Sequence, residues 1–307
     1  MQTDQYTLDE KMLEVGNGHQ LYTQLWGSTD AKQTIVFLHG GPGSGCNDGQ
    51  KQQFDPIRQR VIFFDQRGSG RSLPHGSLEH NTTDMLVADI NKVTAAYDVE
   101  TFVLTGGSWG SCLALAYALH YPTKVTRMVL RGIFTGRKSE IDFLDKGKVR
   151  TFFPDVWDRF VASVPVEFSD DPSTYHQQRI FNNDQEAIAA ALAYSDFEGS
   201  LVALDDRAAA ATLIDLDTFD PTCATIENHY LVNGCFMTDG YLIDKAPSLT
   251  MPIALVQGRY DMVCPPITAY ELDKALPNSR LYWTIAGHSG KDRANADIVR
   301  ALLADVK

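Results

Sequence analysis

The chain has 307 residues, of which 44% are hydrophobic and 21% charged, and its formal net charge is −12. This composition is typical of a soluble globular protein with one large domain or two ordinary ones. The acidic balance, without a clustered lysine and arginine stretch, argues against nucleic acid and anionic membranes as partners and favours cationic ligands.

The sequence also bears on location and metal content. The first residues lack the basic and apolar regions of a signal peptide, and no apolar run approaches the length of a membrane span, so we expect a cytoplasmic protein. Five cysteines occur, without Cys-x-x-Cys spacing, at Cys46, Cys112, Cys223, Cys235 and Cys264. They predict neither a disulfide framework nor a zinc site, and we expect no metal and no cofactor.

The first half of the chain alternates between predicted strands and helices. Residues 11–15 and 20–26 are short strand-like runs joined by Asn17-Gly18, which favours a type I′ hairpin. Residues 82–97 have the apolar spacing of an amphipathic helix. Continuous apolar runs predict buried strands at residues 34–38, 60–64, 101–105 and 125–132. This order predicts a mainly parallel sheet with helices on both faces.

The central motif is Gly106-Gly-Ser-Trp-Gly-Ser111, between a strand-like run and an Ala/Leu-rich helical stretch. A Gly-x-Ser-x-Gly turn in this context is typical of a nucleophile elbow, and we predict that Ser108 is the nucleophile. Gly106 and Gly110 flank it because side chains there would collide with the neighbouring strand and helix. The backbone N–H of Trp109, at the helix start, is a predicted oxyanion donor. An ordinary glycine-rich loop is the alternative.

Two further loops follow predicted strands. The first is His39-Gly-Gly-Pro-Gly43, whose glycines allow backbone N–H groups to turn inward, and Gly41 is our candidate for the second oxyanion donor. A simple tight turn is the alternative. The second is Asp65-Gln-Arg-Gly-Ser-Gly-Arg-Ser72, where Asp65 and the arginines are predicted to hold loops in place.

The second half of the chain changes in character. Residues from 137 to about 241 indicate helices and loops without a convincing buried strand, and strand character returns at 252–257 and 280–286. A closing helix is predicted at about 292–305. We therefore predict a catalytic domain formed by residues 1–136 and 242–307 and a helical cap formed by residues 137–241, lying over the site.

Two candidate partners of Ser108 follow the returning strands. Asp261 and His288 each come just past a strand, where the carboxyl ends of parallel strands meet at one edge of the sheet. The order Ser108, Asp261, His288 is that of the α/β-hydrolase triad. His288 would accept the Ser108 proton and return it to the leaving group, while Asp261 would fix the imidazole tautomer.

On these motifs the chain resembles the proline iminopeptidases, serine prolyl aminopeptidases of the α/β-hydrolase superfamily. The similarity extends over nearly the whole chain, in blocks at residues 39–43, 64–72, 81–83, 106–111, 129–134, 226–230, 232–234 and 257–261. It implies an α/β-hydrolase fold and a cytoplasmic exopeptidase. Such an enzyme releases an N-terminal residue, preferably proline, from short peptides with a free N-terminus through an acyl-enzyme.

The resemblance also implies substrate-binding residues. Glu198 and Glu227 match the cap glutamates that recognise the free N-terminus, although by sequence alone each is more often a solvated helix residue. The α-amino group is cationic near neutral pH, so two convergent carboxylates would pair with it. Tyr194 and Phe197 occupy positions where the family usually has tryptophan. They imply an apolar but roomier pocket with a looser preference for proline.

Two other functions stay open. An amino-acid amidase or small-ester hydrolase would use the same scaffold but would still act when the N-terminus is blocked. A ligand-binding protein could retain the pocket, but it would not need the elbow, both oxyanion loops and the triad together.

Overall fold

A computed structural model of the chain describes residues 4–182, 184–204 and 219–306. Its centre is a sheet of eight strands: β1 (Thr7–Gly16), β2 (His19–Gly27), β3 (Thr34–Leu38), β4 (Arg60–Phe64), β5 (Phe102–Ser108), β6 (Val125–Ile133), β7 (Ile253–Gly258) and β8 (Ser279–Thr284). They lie side by side in the order β1-β2-β4-β3-β5-β6-β7-β8. The pairs β1–β2 and β2–β4 are antiparallel, and all later pairs are parallel.

The described helices are α1 (Asp48–Lys51), α2 (Thr83–Ala95), α3 (Trp109–His120), α4 (Lys138–Asp145), α5 (Pro154–Ala162), α6 (Pro172–Arg179), α7 (Gln185–Val202), α8 (Thr222–Val232), α9 (Tyr241–Lys245), α10 (Pro266–Ala275) and α11 (Arg293–Ala304). Short 3-10 turns lie at Asp4–Tyr6, Pro122–Lys124, Lys148–Thr151, Val166–Phe168, Gly234–Phe236 and Ala246–Ser248. Over the described ranges, no helix is both long and apolar enough to cross a membrane.

Apolar side chains cover both faces of the sheet. Ile35 and Phe37 of β3 join a core with α11, whereas the alternate residues Val36 and Leu38 join the core formed with α2, α3 and α10. Successive side chains of a strand point to opposite faces, so a continuous apolar run is buried on both sides. The predicted fold class, a mostly parallel sheet between helices, is confirmed.

The first hairpin has the turn that its sequence predicts. Asn17 and Gly18 have φ of 57° and 76°, and β1 pairs with β2 from Gly16 opposite His19 onward. A type I′ turn needs positive φ at both central residues, which asparagine and glycine accept at little cost. The hairpin forms the edge of the sheet.

The loop after β4 is held by two buried carboxylates. Asp65 accepts hydrogen bonds from the Arg71 Nε atom at 2.8 Å and from the backbone N–H of Cys46 at 2.6 Å. The guanidinium of Arg67 forms a paired contact with Asp89, at 2.6 and 2.9 Å. Both pairs tie this loop to neighbouring segments, which confirms the scaffolding role predicted for Asp65 and the arginines.

Residues 137–241, hereafter the helical segment, separate β6 from β7. Their described part contains α4 to α8 and no strand. Trp157, Phe160, Tyr194 and Phe197 pack with other apolar residues into a core of their own. The helical segment thus has the character predicted for a cap, and the division into two domains stays an interpretation.

Candidate active site

Ser108 lies at the sharp turn between β5 and α3, with φ of 57° and ψ of −129°. A non-glycine residue in this region of φ and ψ is strained, a feature that concentrates at functional sites. A Cβ atom on Gly106 would lie 2.8 Å from the carbonyl oxygen of Leu38, and one on Gly110 would lie 2.2 Å from it. The flanking glycines are therefore required for the reason that the sequence suggested.

The two predicted oxyanion donors lie on either side of this turn. Trp109 is the first residue of α3, so its backbone N–H has no partner within the helix. Gly41 lines the same cavity as Ser108 and has φ of 101°. A Cβ atom there would lie 2.6 Å from the backbone nitrogen of Gly43, so the loop shape requires glycine. Their role as oxyanion donors stays a prediction.

His39 and Gln66 fix the geometry of both loops, a role that no motif in the sequence indicates. His39 Nε2 accepts the backbone N–H of Gln66 at 2.9 Å, so Nδ1 carries the proton and donates to the Gly40 carbonyl oxygen at 2.9 Å. Burial lowers the pKa of His39 and keeps it neutral. The Gln66 side chain in turn accepts the indole N–H of Trp109 at 2.9 Å.

Asp261 and His288 meet at the carboxyl edge of the sheet, 2.9 Å apart between Oδ2 and Nδ1. A carboxylate accepts, so Nδ1 carries the proton and Nε2 is left as the basic nitrogen. His288 and Ser108 line a common cleft. The structure thus brings the predicted triad to one place, and the catalytic roles stay predictions.

Hydrogen-bond donors saturate the Asp261 carboxylate. Oδ1 accepts the backbone N–H groups of Val263 at 3.0 Å and Cys264 at 2.8 Å, and Oδ2 accepts Gln257 Nε2 at 3.0 Å besides the imidazole. Gln257 is itself fixed, because its Oε1 accepts the N–H of Ile133 at 2.7 Å. Four donors therefore fix the position of the Asp261 carboxylate.

The loop that carries His288 is held from several sides. Asn295 donates to the carbonyl oxygens of Gly287 at 3.1 Å and Ser289 at 2.9 Å, and Arg131 donates to that of His288 itself. The N–H of Ser289 reaches the Val202 carbonyl oxygen of α7 at 2.8 Å. These contacts orient the imidazole and link its loop to the helical segment.

Glu198 of α7 and Glu227 of α8 lie on the other side of the cavity and hydrogen-bond to each other. Burial raises the pKa of both carboxyl groups. The charge of Glu198 and the shared bond raise the pKa of Glu227 further, whereas the same bond and the charge of His288 favour ionised Glu198. The two carboxyl groups are therefore electrostatically linked, and each is easier to protonate than a solvated glutamate.

Hydrogen bonds and ring packing hold helix α8 against residues outside the helical segment. The Tyr230 hydroxyl donates to Asn81 Oδ1 at 2.8 Å, and its ring packs against Trp109 with centroids 4.6 Å apart. The imidazole of His229 bonds to the Asn81 carbonyl oxygen at 2.9 Å. Because these residues lie within one turn of Glu227, the position of its carboxyl group is set relative to the elbow.

Tyr194 and Phe197 lie behind the cavity wall. They are 0% and 1% exposed, and Phe197 stacks on Phe160 with centroids 4.2 Å apart. The Tyr194 hydroxyl donates to Asp145 Oδ1 at 3.2 Å. Neither ring presents free surface to a ligand. The substrate-binding role expected of them stays a prediction, and such a role would have to act through the neighbouring residues that line the cavity.

A cavity of about 30 Å³ lies beside Ser108. It is lined by Gly41, Ser108, Phe134, Glu140, Ile141, Leu144, Asp145, Glu198, Glu227, Leu231, Val263 and Cys264. Most of this wall is apolar, and its carboxyl groups come mainly from the helical segment. Within the described ranges, no group of three or more His, Cys, Asp or Glu residues is arranged to hold a metal ion.

Comparison with known proteins gives the family. A family model described as alpha/beta hydrolase fold matches residues 33–289. The chain is 42% identical to a proline iminopeptidase of Xylella fastidiosa (strain Temecula1), over 94% of this chain and 93% of that protein. It is 41% identical to a proline iminopeptidase of Arabidopsis thaliana, over 91% of this chain and 75% of that protein.

A solved structure supports the fold alone. An alpha/beta fold family hydrolase from Bacillus anthracis str. Sterne has a TM-score of 0.68 at 16% identity, covering 98% of this chain and 100% of that chain. The family follows from the full-length relatives and the matching family model. This chain belongs to the proline iminopeptidase family of α/β hydrolases.

Proposed function

We propose that this protein is a serine exopeptidase that releases an N-terminal residue, preferably proline, from short peptides with a free N-terminus. The relatives named proline iminopeptidase support the activity. The observation that carries the assignment to this site is the pair formed by half-buried Glu198 and buried Glu227, which lines the same cavity as Ser108. Buried carboxyl groups are costly without a cation, and a substrate ammonium group would supply one.

In this mechanism Ser108 attacks the carbonyl carbon of the first peptide bond. His288 Nε2 takes the hydroxyl proton, and Asp261 stabilises the imidazolium that forms. The backbone N–H groups of Gly41 and Trp109 are the proposed donors to the oxyanion. His288 then gives the proton to the leaving amine, and an acyl-enzyme remains on Ser108.

Deacylation repeats these steps with water as the nucleophile. His288 takes a proton from the water, whose hydroxide attacks the acyl carbon, and then returns a proton to Ser108. Throughout, Glu198 and Glu227 hold the ammonium group, which places the first peptide bond at the elbow and excludes internal peptide bonds. The cytoplasmic location predicted from the sequence is part of this proposal.

A panel of aminoacyl naphthylamides, free and N-acetylated, tests this function. We expect the free amides to be hydrolysed, prolyl among the fastest, and N-acetylation to abolish turnover because it removes the cation. Equal turnover of acetylated substrates would instead support an amidase or small-ester hydrolase. Failure of a fluorophosphonate probe to label Ser108 would favour a ligand-binding protein.

A further inference from the structure

Asp145, the last residue of α4, is a carboxyl group of the cavity wall that the proposed mechanism does not use. It is only 5% exposed and lines the cavity beside Ser108. Ile141 and Leu144 of the same helix line that cavity too. Residues at these spacings share one face of a helix. Asp145 therefore lies beside two apolar residues on the helix face that lines the cavity.

Hydrogen bonds to Asp145 leave part of its acceptor capacity open. Oδ2 accepts Gln177 Nε2 at 2.8 Å, and Oδ1 accepts the Tyr194 hydroxyl. The Ser173 hydroxyl, which donates to the Asp145 carbonyl oxygen at 3.0 Å, also interacts with the carboxylate. An ionised carboxylate has roughly four acceptor positions, so about one is unused. The adjacent ammonium group of Lys146 is bound to Asp171 at 2.6 Å. Within the part of the chain that the structure describes, no cationic side chain forms an ion pair with Asp145.

Glu140, the other acid contributed by α4 to this wall, differs in that respect. Its Oε2 accepts the backbone N–H of Thr135 at 2.7 Å, and its Oε1 accepts the Thr135 hydroxyl and Arg137 Nε, the latter at 2.8 Å. Glu140 is thus paired with a cation and fixed by the loop after β6. Asp145 is the acid of α4 that has capacity for a ligand.

Asp145 is a charged hydrogen-bond acceptor on the cavity wall at neutral pH. Burial raises its pKa to about 6, so the carboxyl group is mostly ionised at neutral pH. Burial and Glu198 are the main causes of the raised pKa of Glu227, and the charge of Asp145 adds to it; both Asp145 and Glu227 line the cavity beside Ser108. A substrate held by its ammonium group at Glu198 and Glu227 would have its side chain within this apolar wall.

We propose that Asp145 is a specificity-determining residue that selects peptides whose N-terminal residue carries a hydrogen-bond donor on its side chain, a hydroxyl or an ammonium group. The inference rests on the proposed function, because Glu198 and Glu227 take the α-amino group and leave the side chain to the α4 face. The apolar residues accept the carbon skeleton, and Asp145 accepts the donor. An ammonium group gains more than a hydroxyl, since its hydrogen bond is charge-assisted.

The test uses two matched substrate pairs. Prolyl and 4-hydroxyprolyl naphthylamides differ by one hydroxyl, and norvalyl and ornithyl naphthylamides differ by a terminal ammonium group. Values of kcat/KM are measured for the wild type, Asp145→Leu and Asp145→Asn. The matched control is Asp142→Asn on the same helix, whose carboxylate pairs with Lys138 outside the cavity beside Ser108.

We expect Asp145→Leu to lower the hydroxyprolyl-to-prolyl and ornithyl-to-norvalyl ratios by roughly tenfold or more, because the donor loses a partner within the wall. Asp145→Asn keeps an acceptor but no charge, so the ornithyl ratio should fall most. Asp142→Asn should leave both ratios unchanged.

Unchanged ratios in Asp145→Leu, with every substrate slowed alike, would overturn the inference and make Asp145 a structural residue. If circular dichroism shows that this variant does not fold, the ornithyl ratio of Asp145→Asn decides. A wild type that hydrolyses none of the amides would reject the proposed function together with this inference. Prolyl turnover with ratios insensitive to Asp145 would reject this inference alone.

Discussion

The two sides of the cavity satisfy their carboxyl groups in different ways. One side, hereafter the sheet side, carries Ser108, Asp261 and His288. There Asp261 accepts four hydrogen bonds, including that from His288. The other side, hereafter the helical side, belongs to the helical segment, and there Glu198 and Glu227 bond to each other. Burial raises the pKa of Glu198, of Glu227 and of Asp145. Asp261 has its donors without substrate, whereas among the described residues no cationic side chain forms an ion pair with Glu198, Glu227 or Asp145.

This difference separates the two tasks of the proposed enzyme. Proton transfer needs a fixed geometry, which saturated hydrogen bonds and rigid strand ends provide. Recognition of an ammonium group needs an anion that water does not already solvate. Keeping such an anion away from water costs stability. The predictions below change one side at a time.

The largest effect should come from the elbow. Ser108→Ala removes the proposed nucleophile, and kcat/KM for prolyl naphthylamide should fall roughly 10⁴-fold or more. The side chain faces a cavity, so the thermal unfolding midpoint should hardly move, and EDTA should leave the wild-type rate unchanged. A near-wild-type kcat in this variant would contradict the proposed chemistry.

On the helical side, Asp145→Asn should stabilise the fold. The pKa of this acid is about 6 in the folded state against a usual 3.8. The folded protein therefore binds a proton that the unfolded chain has lost between these values, and stability falls as pH rises through this window. A pKa difference of about two units corresponds to a destabilisation of about 3 kcal/mol, which is present in full above the folded-state pKa.

Urea unfolding of wild type and Asp145→Asn checks this at two pH values. The gain in free energy of unfolding should be near its maximum at about pH 7.5 and should shrink toward about pH 4. Asp142→Asn, in which the lost charge is more exposed, should show no such trend. An equal gain at both pH values would mean that Asp145 is not a strained anion in the folded protein.

A smaller catalytic loss is expected at Gln257, which positions Asp261. Gln257→Met removes the donor to Oδ2 and leaves the N–H of Ile133 without its acceptor. We expect kcat to fall about tenfold with KM little changed, since the buried network loses its fixed geometry. Loss of stability without these kinetic changes would make Gln257 purely structural.

The smallest effect should come from Tyr194→Phe. The ring keeps its packing against Phe160, but Asp145 loses one hydrogen-bond donor. The cost should be about 1 kcal/mol at neutral pH, and the pKa of Asp145 should rise further. Unfolding midpoints of Tyr194→Phe in the wild-type and Asp145→Leu backgrounds separate the two effects, because the cost should vanish where Asp145 is absent.

The sequence predicts the sheet side better than the helical side. Strand, turn and helix around Ser108 are local features, and the glycines beside it are there for a local steric reason. The hairpin at Asn17-Gly18 is local too. By contrast, Gln257 is fixed by Ile133 and His39 by Gln66, partners distant in sequence that spacing alone does not reveal.

The helical side depends on which helix faces pack together. Tyr194 and Phe197 were expected as pocket walls, yet their rings fill the core between α5 and α7, because apolar spacing shows that a face is buried but not against what. Asp145 was not predicted as a site residue, although an acid on the same helix face as the apolar Ile141 and Leu144 is a sequence signal of a polar group in the wall. That signal becomes specific only when Gln177 and Tyr194 are seen to bond to the carboxylate.

The central claim is that the helical side recognises the substrate's amine while the sheet side performs the chemistry. A substitution at Glu198 tests this claim most directly. The measurement is the ratio of kcat/KM for prolyl naphthylamide to that for cyclopentanecarbonyl naphthylamide, which has the same ring size without the amine. We expect the wild type to favour the prolyl substrate by roughly 30-fold or more. In Glu198→Gln the ratio should fall toward one while a fluorophosphonate still labels Ser108; an equal ratio in both proteins would contradict the account.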